Sequence, residues 1–134
     1  MKGVLLDTHA LIWYLAKPES LSVPASEEID NVIQAADGYL FLSAITIIEI
    51  VYLVEKGKIP EDGLKTLMEN VKDPNAELKI LPIDFYVAEE LQNISREQVS
   101  DMPNRIIAAT SRYHNLPLVT KDNRIRHSDI KTIW

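Results

Sequence analysis

The residues in this chain best suited to chemistry are acids that lie far apart: Asp7, Glu49, Asp101 and Asp122. Asp7 follows Val4-Leu5-Leu6, and Asp122 follows Leu118-Val119-Thr120-Lys121, so each stands just past a short apolar run of strand type. In an open α/β sheet ligands bind at the carboxyl ends of the strands, which places both acids at one edge. Taken singly, each has a plainer explanation. Asp7 suits the N-cap of a following helix, and Asp122 a turn before Asn123. Glu49 lies in Ile45-Thr46-Ile47-Ile48-Glu49-Ile50-Val51-Tyr52-Leu53-Val54, which is apolar on nearly every side and so expected to be buried around most of its circumference. An ionised carboxylate in such a place requires a basic partner, a watered cavity or a cation. Asp101-Met102-Pro103-Asn104 opens a further helix, with Asp101 fit to cap it and Asn104 about one turn in, facing the same end.

Two acids at strand ends, one in an apolar helix and one or two oxygens at a helix start form a set of hard donors suited to Mg²⁺ or Mn²⁺. Such a set can hold one or two ions, roughly 4 Å apart, that activate water and stabilise the leaving oxygen in phosphodiester cleavage. The candidate ligands are Asp7, Glu49, Asp101, Asn104 and Asp122, with Thr120 placed to orient water or a ligand. No histidine is required. His9, His114 and His127 form no obvious acid–base pair, and His9 and His114 suit structural or surface roles. Ser43 suits the cap of the helix that carries Glu49.

The elements that must position these groups alternate. Strands are expected at Val4–Leu6, Tyr39–Leu42, Leu78–Pro82, Leu118–Thr120 and Thr132–Trp134. Helices are expected at Thr8–Ala16, stopped by Pro18, at Pro24–Ala36 with Gly38 at its end, and at Ile45–Lys56, closed by Gly57. Others are expected at Pro60–Val71, Asp84–Asn93 and Pro103–His114. Strands separated by helices predict an α/β fold, a mostly parallel sheet covered on both faces. With 134 residues, no repeats and no linker, one domain over 1–134 is the simplest account.

Composition narrows the function classes. There is no cysteine, which excludes disulfides, Cys-ligated zinc and thiol chemistry and fits the cytoplasm. No run of about eighteen apolar residues predicts a membrane span, and the start lacks the form of a signal peptide. The net charge of −6 argues at first against a nucleic-acid partner, but the charge is unevenly spread. Residues 1–95 carry 7 basic and 16 acidic side chains, whereas residues 96–134 carry 7 basic and 4 acidic. That last third holds Arg96, Arg105, Arg112, Lys121, Arg124, Arg126 and Lys131, either a phosphate-contacting surface or a solvated basic face. Lys121 and Arg124, on either side of Asp122, are the candidates for holding an RNA backbone.

Read together, four stretches resemble the PIN domain, and within it the VapC-like toxins of bacterial and archaeal toxin–antitoxin pairs. They are Val4-Leu5-Leu6-Asp7-Thr8-His9-Ala10-Leu11-Ile12-Trp13, Leu42-Ser43-Ala44-Ile45-Thr46-Ile47-Ile48-Glu49-Ile50, Asp101-Met102-Pro103-Asn104-Arg105-Ile106-Ile107-Ala108-Ala109-Thr110 and Leu116-Pro117-Leu118-Val119-Thr120-Lys121-Asp122. The resemblance implies a three-layer α/β/α sandwich, Mg²⁺- or Mn²⁺-dependent endoribonuclease activity, a homodimer and inhibition by a small antitoxin protein. It matches Asp7, Glu49 and Asp122 to acidic positions of the family and Thr120 to its hydroxyl position. One residue departs: Asn104 stands where the family usually has Asp. Either Asp101 supplies that charge, or the chain is a weakened or inactive relative that acts by binding antitoxin or RNA, or the residue is a deliberate silencing substitution. Haloacid-dehalogenase-like phosphatases also place Asp after the first strand, but they need a second Asp where this chain has His9. A receiver domain likewise wants paired acids near its first strand.

Overall fold

The computed structural model describes residues 2–134. Its centre is a five-stranded sheet, every strand pair parallel, in the order β3-β2-β1-β4-β5. The strands are β1 (Gly3–Leu6), β2 (Tyr39–Ser43), β3 (Leu78–Leu81), β4 (Leu118–Val119) and β5 (Thr132–Ile133). Side chains alternate across a strand, and this divides the core in two. Val4, Leu6, Leu40 and Leu42 pack with α1 (Thr8–Ala16), α2 (Val23–Gln34) and α4 (Glu61–Lys72). Leu5, Phe41 and Leu118 face the other way, onto α5 (Phe85–Glu90), α6 (Met102–His114) and α7 (Asn123–Arg126). The helix α3 (Ala44–Glu55) serves both cores, Ile50 joining the first and Ile45 the second. The expected three-layer α/β/α sandwich is what forms.

Local chemistry sets the helix ends. Asp7, Ser22, Ser43, Asp84, Asp101 and Asp122 each accept a backbone N–H of the first turn of the helix they precede. α3 closes as expected at Gly57, whose φ of 72° lets Lys58 N–H reach the Leu53 carbonyl and Gly57 N–H the Val54 carbonyl. α2 stops at Gln34, short of the expected Ala36, and the chain turns so tightly that a Cβ on Gly38 would lie 2.3 Å from the Val32 carbonyl oxygen.

Two expectations need correction. α3 is not buried around most of its circumference: Ile48 is 45% and Tyr52 59% exposed. The helix leaves β2, next to the edge of a narrow sheet, so only one stripe (Ile45, Thr46 and Ile50) is fully covered. The turn expected at Asp122–Asn123 is a short helix, α7, held by Ile125, which is fully buried in the second core.

Sheet order fixes where a ligand can sit. From β1 the chain moves to β2 and β3 on one side and later to β4 and β5 on the other, so β1 and β4 flank the topological switch point. The crevice opens past Leu6 and Val119, which pair in register. Leu5, on the central strand, is fully buried, so Leu5→Ala is expected to cost about 2–5 kcal/mol in a urea unfolding titration.

Candidate active site

Asp7 lies at the switch point, only 5% exposed. The sheet ladder continues past the strand ends to hold this backbone: Asp7 N–H bonds the Val119 carbonyl (3.1 Å), and Thr120 N–H bonds the Ile133 carbonyl (3.2 Å). One Asp7 oxygen caps α1 by accepting Ala10 N–H at 2.8 Å. The other accepts the Thr120 hydroxyl at 2.5 Å. The capping and site roles expected as alternatives are thus compatible. Thr120 Oγ1 in turn accepts Asp122 N–H at 3.0 Å. Because the Asp122 amide occupies a lone pair of that hydroxyl, its single proton is directed at Asp7.

Asp122 caps α7, accepting Arg124 and Ile125 N–H at 2.9 and 3.1 Å through one oxygen. Its second oxygen faces the Asn104 amide nitrogen at 3.4 Å. Asp101 caps α6 by accepting Asn104 N–H at 3.2 Å. The acids therefore gather where α1, α6 and α7 begin, and the N-terminal ends of helices favour negative charge.

Glu49 reaches this edge from α3. It is half-buried and accepts the Thr8 hydroxyl at 2.6 Å, with the fully buried Thr46 hydroxyl 3.0 Å from the same Thr8 oxygen. Among the described residues no Lys, Arg or His lies within ion-pair distance of Glu49, Asp7 or Asp122. Burial raises the Asp7 carboxyl above its ordinary range; donation from Thr120 and Ala10 and the charge of His9 oppose this, while the nearby Asp122 charge adds to it. Glu49 is also raised, first by burial and then by repulsion from Asp101 and Asp7, with Thr8 and His9 opposing. Asp7 therefore lies within electrostatic reach of Asp122 and Glu49, and Glu49 within reach of Asp101.

Thr8 escaped the sequence reading as a site residue. Its hydroxyl is the link between α1 and Glu49, a contact across 41 positions that no local pattern announces. The signal was a polar residue at the first turn of each of two apolar helices. Two candidate basic residues are committed elsewhere. Arg105 donates to the Leu91 and Ile94 carbonyls, and Arg112 pairs with Glu90 and Asp129. Neither is available to phosphates as a basic-surface reading requires. Lys121 and Arg124 stay exposed, and Arg124 reaches only Ser100 Oγ at 3.3 Å.

The donor chemistry fits a hard divalent cation: carboxylate, amide and hydroxyl oxygens at one edge, the carboxylates without an ion-pair partner among the described residues. The fit is to an open site. Among the described residues no three His, Cys, Asp or Glu side chains come close enough together to hold a metal ion by themselves.

The PIN domain family model matches residues 4–131. The chain belongs to the PIN-domain family. Ribonuclease VapC22 of Mycobacterium tuberculosis (strain ATCC 25618 / H37Rv) is 32% identical to this PIN domain over 142 residues, covering 100% of both chains. The solved structure of VapBC2 from Rickettsia felis, bound to a DNA fragment from its promoter, contains a chain 17% identical that superposes with TM-score 0.72, covering 97% of this PIN domain and 96% of that chain. DNA-bound VapBC from Salmonella typhimurium gives TM-score 0.71 at 21% identity, with 98% and 97% covered. These structural likenesses show that the fold is shared. No helix among the described residues is long and apolar enough to cross a membrane.

The raised acids make stability pH-dependent. A folded carboxyl that titrates above its ordinary value, 3.8 for Asp7 and 4.5 for Glu49, binds protons that the unfolded chain has released. Without divalent metal, stability therefore falls as pH rises from that range through the raised values. Thermal unfolding in EDTA from about pH 4 to 8 is expected to show a shallower fall for Asp7→Asn than for the parent; an equal or steeper fall rejects the burial assignment.

Proposed function

We propose that this PIN domain is a metal-dependent endoribonuclease, the toxin member of a toxin–antitoxin pair. The observation that carries the reading is Asp7: buried at the switch point, without a basic partner and within the repulsive field of Asp122. The whole-length kinship with a protein named a ribonuclease gives it independent support.

In this reading Asp7, Glu49 and Asp122, with Asp101 and Asn104, hold Mg²⁺ or Mn²⁺. The cation, when bound, lowers the pKa of water and neutralises charge on the cleaved phosphodiester. Thr120 fixes the rotamer of Asp7 through its directed proton, and Thr8 fixes Glu49, so both acids meet the cation already oriented. Lys121 and Arg124 flank Asp122 and grip backbone phosphates on either side of the cut. The buried hydroxyls exclude bulk water from the inner wall. The antitoxin partner follows the solved relatives, which are VapBC complexes. A homodimer, a cytoplasmic setting and one domain over 1–134 complete the proposal.

Asn104 bears on strength. Its amide donates to Asp122 where an aspartate would repel it, so the cluster loses one charge and one repulsion together. Hard-cation affinity follows carboxylate count, so the ion binds more weakly than in an all-acid site.

Two measurements test this. Purified protein is expected to cleave single-stranded RNA with Mn²⁺ and not with EDTA, and Asp7→Ala to be slower by roughly a hundredfold or more, ~3 kcal/mol in the barrier. Cleavage by Asp7→Ala at the parent rate sinks the assignment. Asn104→Asp is expected to reach half-maximal activity at a lower Mn²⁺ concentration; identical metal curves exclude an attenuating role for Asn104.

A further inference from the structure

Beside the acids runs a strip of aromatic rings that the chemistry above does not use. His9 and Trp13, one turn apart on α1, have ring centroids 5.7 Å apart. Trp13 meets Trp134 at 5.6 Å. Lys121 Nζ lies over the Trp13 ring, 5.9 Å from its centroid. Each member is tied to the site by the fold. His9 sits two residues after Asp7 and bears electrostatically on both Asp7 and Glu49. Lys121 separates Thr120 from Asp122. Trp134 follows Ile133, whose carbonyl receives the Thr120 N–H.

Packing alone does not account for this strip. Both indoles touch the first core but remain half-buried, and His9 and Lys121 are exposed. Among the described residues Lys121 has no carboxylate within ion-pair distance; its charge rests over an indole. A cation held over a ring beside a row of partly open aromatic faces matches how single-stranded nucleic acid is bound. Bases stack on the rings and the cation takes a phosphate. A protein docked here would have to bury the exposed Lys121 charge, which has no carboxylate partner among the described residues. A duplex hides its base faces and cannot use the strip.

We propose that His9, Trp13 and Trp134 form a stacking shelf for an unpaired base next to the cut, with Lys121 holding that nucleotide's phosphate. The shelf rests on the nuclease reading for its substrate and adds a seat for one unpaired base and a fixed approach from the β4–β5 side.

The chain offers its own reporter, because its 2 tryptophans are both in the strip. Full-length Asp7→Asn protein, with Mn²⁺, is titrated with a single-stranded RNA of about ten nucleotides, with an abasic RNA of equal length and with a duplex. The expected result is quenching of indole emission by the base-bearing single strand alone, and roughly tenfold weaker binding of the abasic strand. His9→Ala, an exposed change that leaves both cores untouched, and Trp134→Leu are expected to weaken base-bearing RNA by a similar factor while leaving abasic RNA unchanged. Emission unmoved by RNA, as when the strip is covered by a protein instead, overturns the shelf. So does equal binding of base-bearing and abasic strands, or parent-like RNA affinity in both variants. The two readings fail separately: parent protein that cleaves RNA without any indole response retains the nuclease and loses the shelf, and base-dependent quenching without cleavage under any divalent ion does the reverse.

Discussion

Asp7 feels the charge of Asp122, and Glu49 feels those of Asp101 and Asp7, with His9 as the one opposing charge and, among the described residues, no ion pair to any of these acids; most of the local structure is organised around that charge. Repulsion on the buried Asp7 and the half-buried Glu49 opposes folding, and a salt bridge would be the ordinary remedy. Here the compensation comes from neutral groups. Helix starts supply backbone N–H donors to Asp7, Asp101 and Asp122, and hydroxyls supply donors to Asp7 and Glu49. Neutral donors hold a carboxylate in place without cancelling its charge, which leaves the edge attractive to a cation from solution.

The parallel sheet makes this arrangement possible. Parallel strands deliver their carboxyl ends to one side, and each following helix begins there, so strand ends and helix caps coincide. Backbone bonds just past the ends of β1 and β4 carry the register outward to Asp7 and Thr120, and the two cores on either face hold α1 and α6. The Asp7–Thr120 contact joins residues 113 positions apart, and it forms only if β1 and β4 pair in the observed register.

Much of this was readable beforehand, for physical reasons. The alternation of short apolar runs with helical segments encodes the layered fold, and an acid just past a strand marks the sheet edge where the acids gather. Caps at Asp7, Asp101 and Ser43 follow from residue type and position. Other features were hidden. The exposure of Ile48 and Tyr52 depends on how far the sheet extends beneath α3, which periodicity within the helix does not carry. Helix α7 is too short for a periodic signal and is held by burial of Ile125. The Thr8–Glu49 bond and the capture of Arg105 by carbonyls are tertiary outcomes of chain segments meeting. Charge counting could not tell Arg105 and Arg112, which are occupied, from Lys121 and Arg124, which are open.

Asn104 differs from the three aspartates of the cluster in one respect: its side chain closes no helix. Asp101 caps α6, and the Asn104 side chain touches only Asp122. Asp7, Asp101 and Asp122 each combine charge with a cap, so losing any of them also loosens the scaffold. At position 104 charge can come and go while the architecture stands. Asparagine and aspartate codons differ by a single base, so the charge at this edge can change by one point mutation that removes no helix cap.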